Sequence, residues 1–212
     1  TVWMNMTRIV SRNIETKQER FIAEDAIQGR WSHAGSLFAY VKAYINEVPP
    51  GGYNWDDLYA WEQKITGLYV KDLSTGAEKL ISPLAVCPCF TPDDAAVMCS
   101  MKDSSGLWQI FRIPLDGGSP KQITFYGPND TGRNARVSDV SPDGKWILHT
   151  GDFNVGDMVK TGLCVCNLVS GVSYPLFPNV NITNTEASWS PDGKKFVFSA
   201  YDPAPIIDNV TG

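Results

Sequence analysis

The sequence predicts an all-β fold, a β-propeller of four-stranded blades, and three observations lead there. Helical periodicity is nearly absent, while short β-rich segments alternate with clusters of Gly, Pro, Asn and Asp. Two segments, Val140–Leu148 and Trp189–Phe198, are near copies, and two weaker copies start at Phe90 and Trp31. The anchors Trp31, Phe90, Val140 and Trp189 lie 59, 50 and 49 residues apart, close to the propeller-blade period of about 40–50.

Each copy has the chemistry of a hairpin. In Ser141-Pro142-Asp143-Gly144 and Ser190-Pro191-Asp192-Gly193, proline presets the first turn angle, aspartate bonds the backbone two residues on, and glycine supplies a positive φ. Thr91-Pro92-Asp93-Asp94 and Ser32-His33-Ala34-Gly35 are the degenerate versions. Alternating apolar residues such as Phe196 and Phe198 then give the following strand one buried face. A second hairpin precedes each copy: Val10–Ile22, Tyr69–Ile81, Ile110–Ile123 and Cys164–Leu176. Two hairpins make four strands, which is one blade. The repeats run approximately over 1–66, 67–105, 106–161 and 162–212, all within one propeller domain spanning 1–212. The final Asn209-Val210-Thr211-Gly212 resembles Lys64-Ile65-Thr66-Gly67 and Val159-Lys160-Thr161-Gly162, where outer hairpins begin. The expectation is four blades belonging to a larger ring of six to eight, the remaining blades coming from the same or another chain.

These residues resemble the TolB-type, WD-repeat-like propeller family. Its repeat is a strand, Asp-Leu-x-Gly-Gly, a second strand, then Trp-Ser-Pro-Asp-Gly-Lys and an apolar strand. The likeness is strong in the last two repeats, fair in the second, and weakest in the first, where His33-Ala34-Gly35 replaces Pro-Asp-Gly. It implies a fold and no particular activity, because propellers host many unrelated functions.

Composition narrows the partners. Charged residues are 19% and hydrophobic residues 43%, an ordinary globular balance. A net charge of −5 with basic residues scattered singly offers no face for nucleic acid or for an anionic membrane. No apolar stretch approaches the roughly 20 residues that span a bilayer. The chain starts at Thr1 with no charged-then-apolar leader, as though cut from something longer. Five cysteines are an odd number. The Cys87/Cys89 and Cys164/Cys166 pairs, each separated by one residue, suit strand faces better than zinc. The expected compartment is periplasmic or extracellular. Sequons begin at Asn5, Asn129, Asn181 and Asn209, at a frequency that chance explains in an Asn- and Thr-rich chain.

Propeller topology puts the Pro-Asp-Gly and outer-hairpin turns on one face and the remaining connections on the other. Those connections look long and varied: Tyr44–Thr66, Phe125–Asn134, Gly151–Lys160, Phe177–Thr185 and Tyr201–Gly212. Loops on a rigid frame are where binding is usually found. The first combines Tyr53, Trp55, Tyr59 and Trp61 with Asp56, Asp57 and Glu62, a mixture suited to stacking on a sugar or gripping a protein partner, or to packing on its own propeller. Channel-facing candidates are Arg30, Cys87, Arg136, Asp139, Glu186 and Ser188. Arg136, Asp139 and Glu186 are expected to form either a polar ligand pocket or a ring of structural ion pairs.

Catalytic signatures are missing from the sequence pattern. The two histidines, His33 and His149, fall in a tight turn and in mid-strand, and no Gly-x-Ser-x-Gly elbow occurs. Asp152 and Asp157 lack the alternating oxygen donors of a calcium loop, and no cofactor motif is present. The sequence therefore predicts a non-catalytic scaffold that binds a protein partner or glycan, or assembles in a larger complex, through its long-loop face. The alternative is an accessory or gating domain of an enzyme, such as a prolyl-oligopeptidase-like peptidase or a polysaccharide lyase.

Overall fold

The computed structural model describes residues 8–43, 65–178 and 186–199, and every element in them is a strand or a turn. The sixteen strands are β1 (Arg8–Arg12), β2 (Glu19–Glu24), β3 (Ala26–Trp31), β4 (Leu37–Ala43), β5 (Ile65–Asp72), β6 (Glu78–Ser82), β7 (Val86–Phe90) and β8 (Ala96–Lys102), followed by β9 (Trp108–Pro114), β10 (Lys121–Gln122), β11 (Arg133–Val140), β12 (Trp146–Val155), β13 (Met158–Asn167), β14 (Ser173–Pro175), β15 (Ala187–Trp189) and β16 (Phe196–Phe198). Three antiparallel sheets have four strands, in the orders β3-β4-β5-β6, β10-β9-β8-β7 and β11-β12-β13-β14. Two more, β1-β2 and β15-β16, have two.

Each four-stranded sheet opens with the hairpin of the Pro-Asp-Gly type and closes with the outer hairpin. The sheets are thus cut half a repeat out of step with 1–66, 67–105, 106–161 and 162–212. A periodic sequence has no intrinsic phase. Pairing sets it, because the short link from Ser82 to Val86 carries the chain from the last strand of one sheet to the first of the next.

The repeated turn explains its own sequence. Ser141 Oγ donates to Asp143 Oδ1 (2.6 Å) and accepts from Trp146 N (2.9 Å), while Asp143 Oδ1 accepts from Lys145 N (3.1 Å). Ser190 with Asp192 and Thr91 with Asp93 repeat the pattern. The hydroxyl bonds hold the carboxyls of Asp93, Asp143 and Asp192 below their usual range. The fourth turn residue sits at positive φ, +70° at Gly144 and +67° at Gly193, where a Cβ is disfavoured. Asp94 adopts +54° at that position without being glycine. Outer hairpins use a different device: Asn13, Asp72 and Asn167 each accept two backbone N–H groups through one side-chain oxygen.

The chain divides into two compact units, Thr1–Lys102 with Phe111–Lys121, and Asp103–Ile110 with Gln122–Gly212. In the first, Ile22, Ala23, Ala26, Phe38, Tyr40 and Leu73 form a core joined by Ile9 and Tyr69. In the second, Leu148, Leu163 and Ala187 pack with Val165, Leu176, Phe177, Trp189 and Phe196.

One expected loop is absent. Residues 151–160 continue β12 and β13 in unbroken register from Trp146↔Asn167 to Val155↔Met158. The polar residues read as loop signals lie within the ladder, and Gly156-Asp157 alone make the turn. Asp152 is held by Thr161 Oγ1 (2.6 Å) and Asn134 Nδ2 (2.7 Å).

Candidate functional site

The first strands of the three complete sheets share an irregularity that the sequence does not announce. The β3–β4 register shifts between Ile27 and Arg30, the β7–β8 register between Val86 and Cys89, and the β11–β12 register between Arg133 and Arg136. Within each shift lies a non-glycine residue in the left-handed region: Gln28 (+56°), Cys87 (+53°) and Asn134 (+57°). Such a residue costs about 1–2 kcal/mol and persists only where its surroundings impose it. Cys87 N donates to Gln28 Oε1 at 2.8 Å, and Asn134 is the residue bonded to Asp152. All three lie where the strand begins, at the end of the sheet opposite the Pro-Asp-Gly turns.

Arg136 and Asp139 leave β11 from this irregular stretch. The guanidinium of Arg136 sits 3.6 Å from the centre of the buried Trp108 indole, a cation–π contact. Asp139 Oδ2 accepts from Ser188 Oγ (2.8 Å) and from Trp189 N (2.7 Å), tying β11 to β15. Glu186, exposed, precedes β15, and its backbone carbonyl accepts from Ser199 N at 2.9 Å. Asp139 is thus brought to the strand that Glu186 opens, and Arg136 to an aromatic partner that spacing did not reveal. Arg30 and Ser188 are exposed and Cys87 is half-buried. Tyr53, Trp55, Asp56, Asp57 and Trp61 lie outside the described residues.

The stems of that aromatic segment border a cleft. About 590 Å³ in volume, it is lined by Phe21 and Glu24 of β2 and by Lys42, Tyr69, Lys71 and Glu78. Glu78 accepts hydrogen bonds from the Tyr40 hydroxyl and the Lys42 ammonium. That ammonium stands 4.4 Å from the centre of the Tyr69 ring, itself stacked on Tyr40 at 6.1 Å. Burial pushes the Tyr40 hydroxyl well up, with Glu78 adding to it. Burial alone would raise Glu78, but the bonds from Lys42 and Tyr40 outweigh it and hold the carboxyl below its usual range. Lys71 Nζ is bonded to Ile22 O at 2.6 Å. Apolar ring faces beside a fixed ion pair suit a polar ligand with an apolar face.

His149 has an unexpected serine partner. Its Nε2 is 2.8 Å from Ser173 Oγ, which also bonds the Tyr126 hydroxyl at 2.5 Å. Nucleophile and base would meet this way, yet His149, Ser173 and Tyr126 are 0%, 7% and 6% exposed, and Nδ1 faces Thr150 O rather than a carboxylate. Burial lowers the imidazole pKa to about 4. This is a core hydrogen-bond node, closed to substrate. His33 Nδ1 lies 3.2 Å from Asp94 Oδ1, and that carboxylate also accepts from the backbone N–H groups of His33 and Ala34. All five cysteines are free thiols, and burial raises those of Cys99, Cys164 and Cys166, against nucleophilic use. Among the described residues no group of three His, Cys, Asp or Glu is placed to hold a metal ion, and no helix is long and apolar enough to cross a membrane.

No protein-family model matches the chain, and no curated protein matches it by sequence. Solved structures do. The crystal structure of TolB from Acinetobacter baumannii superposes with a TM-score of 0.67 at 19% identity, over 92% of this chain and 43% of that one. The fold is a TolB-type β-propeller. An oligogalacturonate lyase in complex with manganese matches with a TM-score of 0.58 at 12% identity, over 90% of this chain and 50% of its own. A prolyl endopeptidase matches at 0.54 and 16%, over 88% and 28%. The propeller described here spans about half or less of each of these proteins.

Proposed function

We propose that this propeller is a non-catalytic binding scaffold that engages a protein partner, or assembles in a larger complex, through the end of its sheets where the first strands begin. One observation carries the reading: every complete sheet keeps a strained, bulged residue at that end, namely Gln28, Cys87 and Asn134. Bulges re-aim side chains and recur beside functional sites. The opposite end carries interchangeable tight turns. Trp55 and Trp61 would supply aromatic anchors, with Tyr53, Asp56 and Asp57 around them, and Arg136, Asp139 and Glu186 the polar groups. A glycan is the second ligand class, favoured by the ring faces and ion pair of the 590 Å³ cleft. A periplasmic or extracellular setting accords with a TolB-type fold. The enzyme-accessory reading draws on the lyase and peptidase of like fold. Under either reading, the burial of His149 and Ser173 argues against that pair serving as a hydrolytic site.

The test selects peptides from a random display library on the intact protein and measures their affinity for a Trp55→Ala/Trp61→Ala variant. Loss of about tenfold or more, as expected for aromatic anchors, with an unchanged melting temperature supports the scaffold. Unaltered affinity, or a large fall in melting temperature, assigns the tryptophans to internal packing.

A further inference from the structure

The turn end carries two departures from its own repeat, and they touch. At the second turn position the four repeats read His33, Pro92, Pro142 and Pro191, and at the fourth Gly35, Asp94, Gly144 and Gly193. His33 alone is not proline there, and Asp94 alone is not glycine. The turn itself accounts for neither. All four close alike, the N–H of the fourth residue donating to the carbonyl of the first at 2.8–3.0 Å. Glycine would adopt the +54° of Asp94 without strain.

The neighbouring sheet supplies the reason. Asp94 Oδ1 accepts from His33 N and Asp94 Oδ2 from Ala34 N, both at 2.8 Å, and His33 Nδ1 lies 3.2 Å from Oδ1. Proline has no N–H, so at position 33 it would remove one of these donors together with the imidazole. Glycine at position 94 would remove the acceptor. Two backbone N–H groups forked onto one carboxylate make charge-assisted bonds, stronger than neutral ones, and the Asp94 side chain is 18% exposed. In the second unit the same two turn positions meet through their ordinary residues, since a Cβ built on Gly193 would lie 3.5 Å from Pro142 Cδ. Glycine against a proline ring is a contact without hydrogen bonds, whereas aspartate against histidine is a polar contact at three points.

We propose that His33 and Asp94 are a matched pair that staples the β3–β4 turn of one sheet to the β7–β8 turn of the next, each residue stabilising only in the presence of the other. Asp94 takes on left-handed backbone strain to place its carboxylate. His33 forgoes the preset turn angle of proline and keeps an N–H in return. The staple holds adjoining sheets together at the end away from the bulged strands. It requires no ligand and no second chain, and so stands apart from the binding reading.

The test is a double-mutant cycle in the full chain, with His33→Pro, Asp94→Gly and both together, read by denaturant midpoint and by amide hydrogen exchange. Proline and glycine are the residues that the other repeats carry at these positions, so each variant keeps a turn the fold already uses. His33→Pro should lower the midpoint, because Asp94 keeps its strain and loses donors. The double variant should recover most of that loss, since glycine removes both the strain and the stranded carboxylate. His33→Ala, which keeps the N–H, should fall between the wild type and His33→Pro. Exchange at the exposed Ala34 amide should quicken about tenfold in Asp94→Gly. Midpoint losses that simply add in the double variant, or an Ala34 amide that exchanges equally fast with and without the Asp94 carboxylate, would overturn the proposal.

Discussion

The two ends of each sheet are built on different principles. At the turn end, Ser or Thr, Pro and Asp repeat the same hydrogen bonds in successive hairpins, with Gly144 and Gly193 at nearly the same φ. Those repeated bonds are local, each partner lying within five residues. The degenerate Ser32–Gly35 turn is the one that also borrows a distant carboxylate, that of Asp94. At the opposite end the first strands bulge, and their residues are held from afar: Gln28 by the backbone of Cys87, Asn134 by Asp152, Gly132 N by Asp152 O. The turn end is therefore tolerant and modular, whereas the bulged end depends on close tertiary fit. Variation free of local constraint is what a binding surface requires.

The largest expected effect lies at the bulged end. A Cβ on Gly151 would meet the backbone of Gly132 at 2.8–3.0 Å, so Gly151→Val should lower stability by about 3 kcal/mol through overpacking. A denaturant midpoint equal to that of the wild type would show that the loop yields and the fit is loose.

Acid should separate the ends next. His149 has a folded pKa of about 4 against an ordinary 6.5, so below pH 6.5 the unfolded chain takes up a proton that the folded chain refuses. The contribution is complete above that pH, falls as pH drops through the window, and is exhausted near pH 4. At 1.36 kcal/mol per pKa unit the total is about 3 kcal/mol. Denaturation from pH 7.5 to 4 should be steeper for the wild type than for His149→Gln; parallel curves would mean that His149 keeps its ordinary pKa in the folded chain.

A smaller loss is expected at the turn end. Gly193 sits at +67° with its nearest neighbour, Pro142 Cδ, at 3.5 Å from a built Cβ, so Gly193→Val adds backbone strain without a clash and should cost about 2 kcal/mol. A thermal midpoint unmoved by this change would remove the strain argument and with it half of the comparison.

Local chemistry was readable in the chain. The Ser-Pro-Asp-Gly-Lys spacing specified hairpins, and their recurrence specified repeated sheets. The partners of Asp139, Ser188 and Trp189, lie 49 and 50 residues away and could not be read from its spacing. The stack of Arg136 on Trp108 was invisible, because 28 residues and a loop separate them. The same holds for the Tyr40–Glu78–Lys42 cluster and for His149 with Ser173. Residues 151–160 misled in the other direction, since Gly, Asp and Asn usually punctuate loops but here lie in a ladder whose partners supply the bonds that a turn would have made.

By itself, then, the amino-acid order determined the repeating unit, because hairpin turns close through contacts only two to five residues long. Which hairpins share a sheet, where each first strand bulges and which polar side chains meet were decided by folding in three dimensions. Strand pairing and burial join residues far apart in the chain, and no short motif encodes such a meeting.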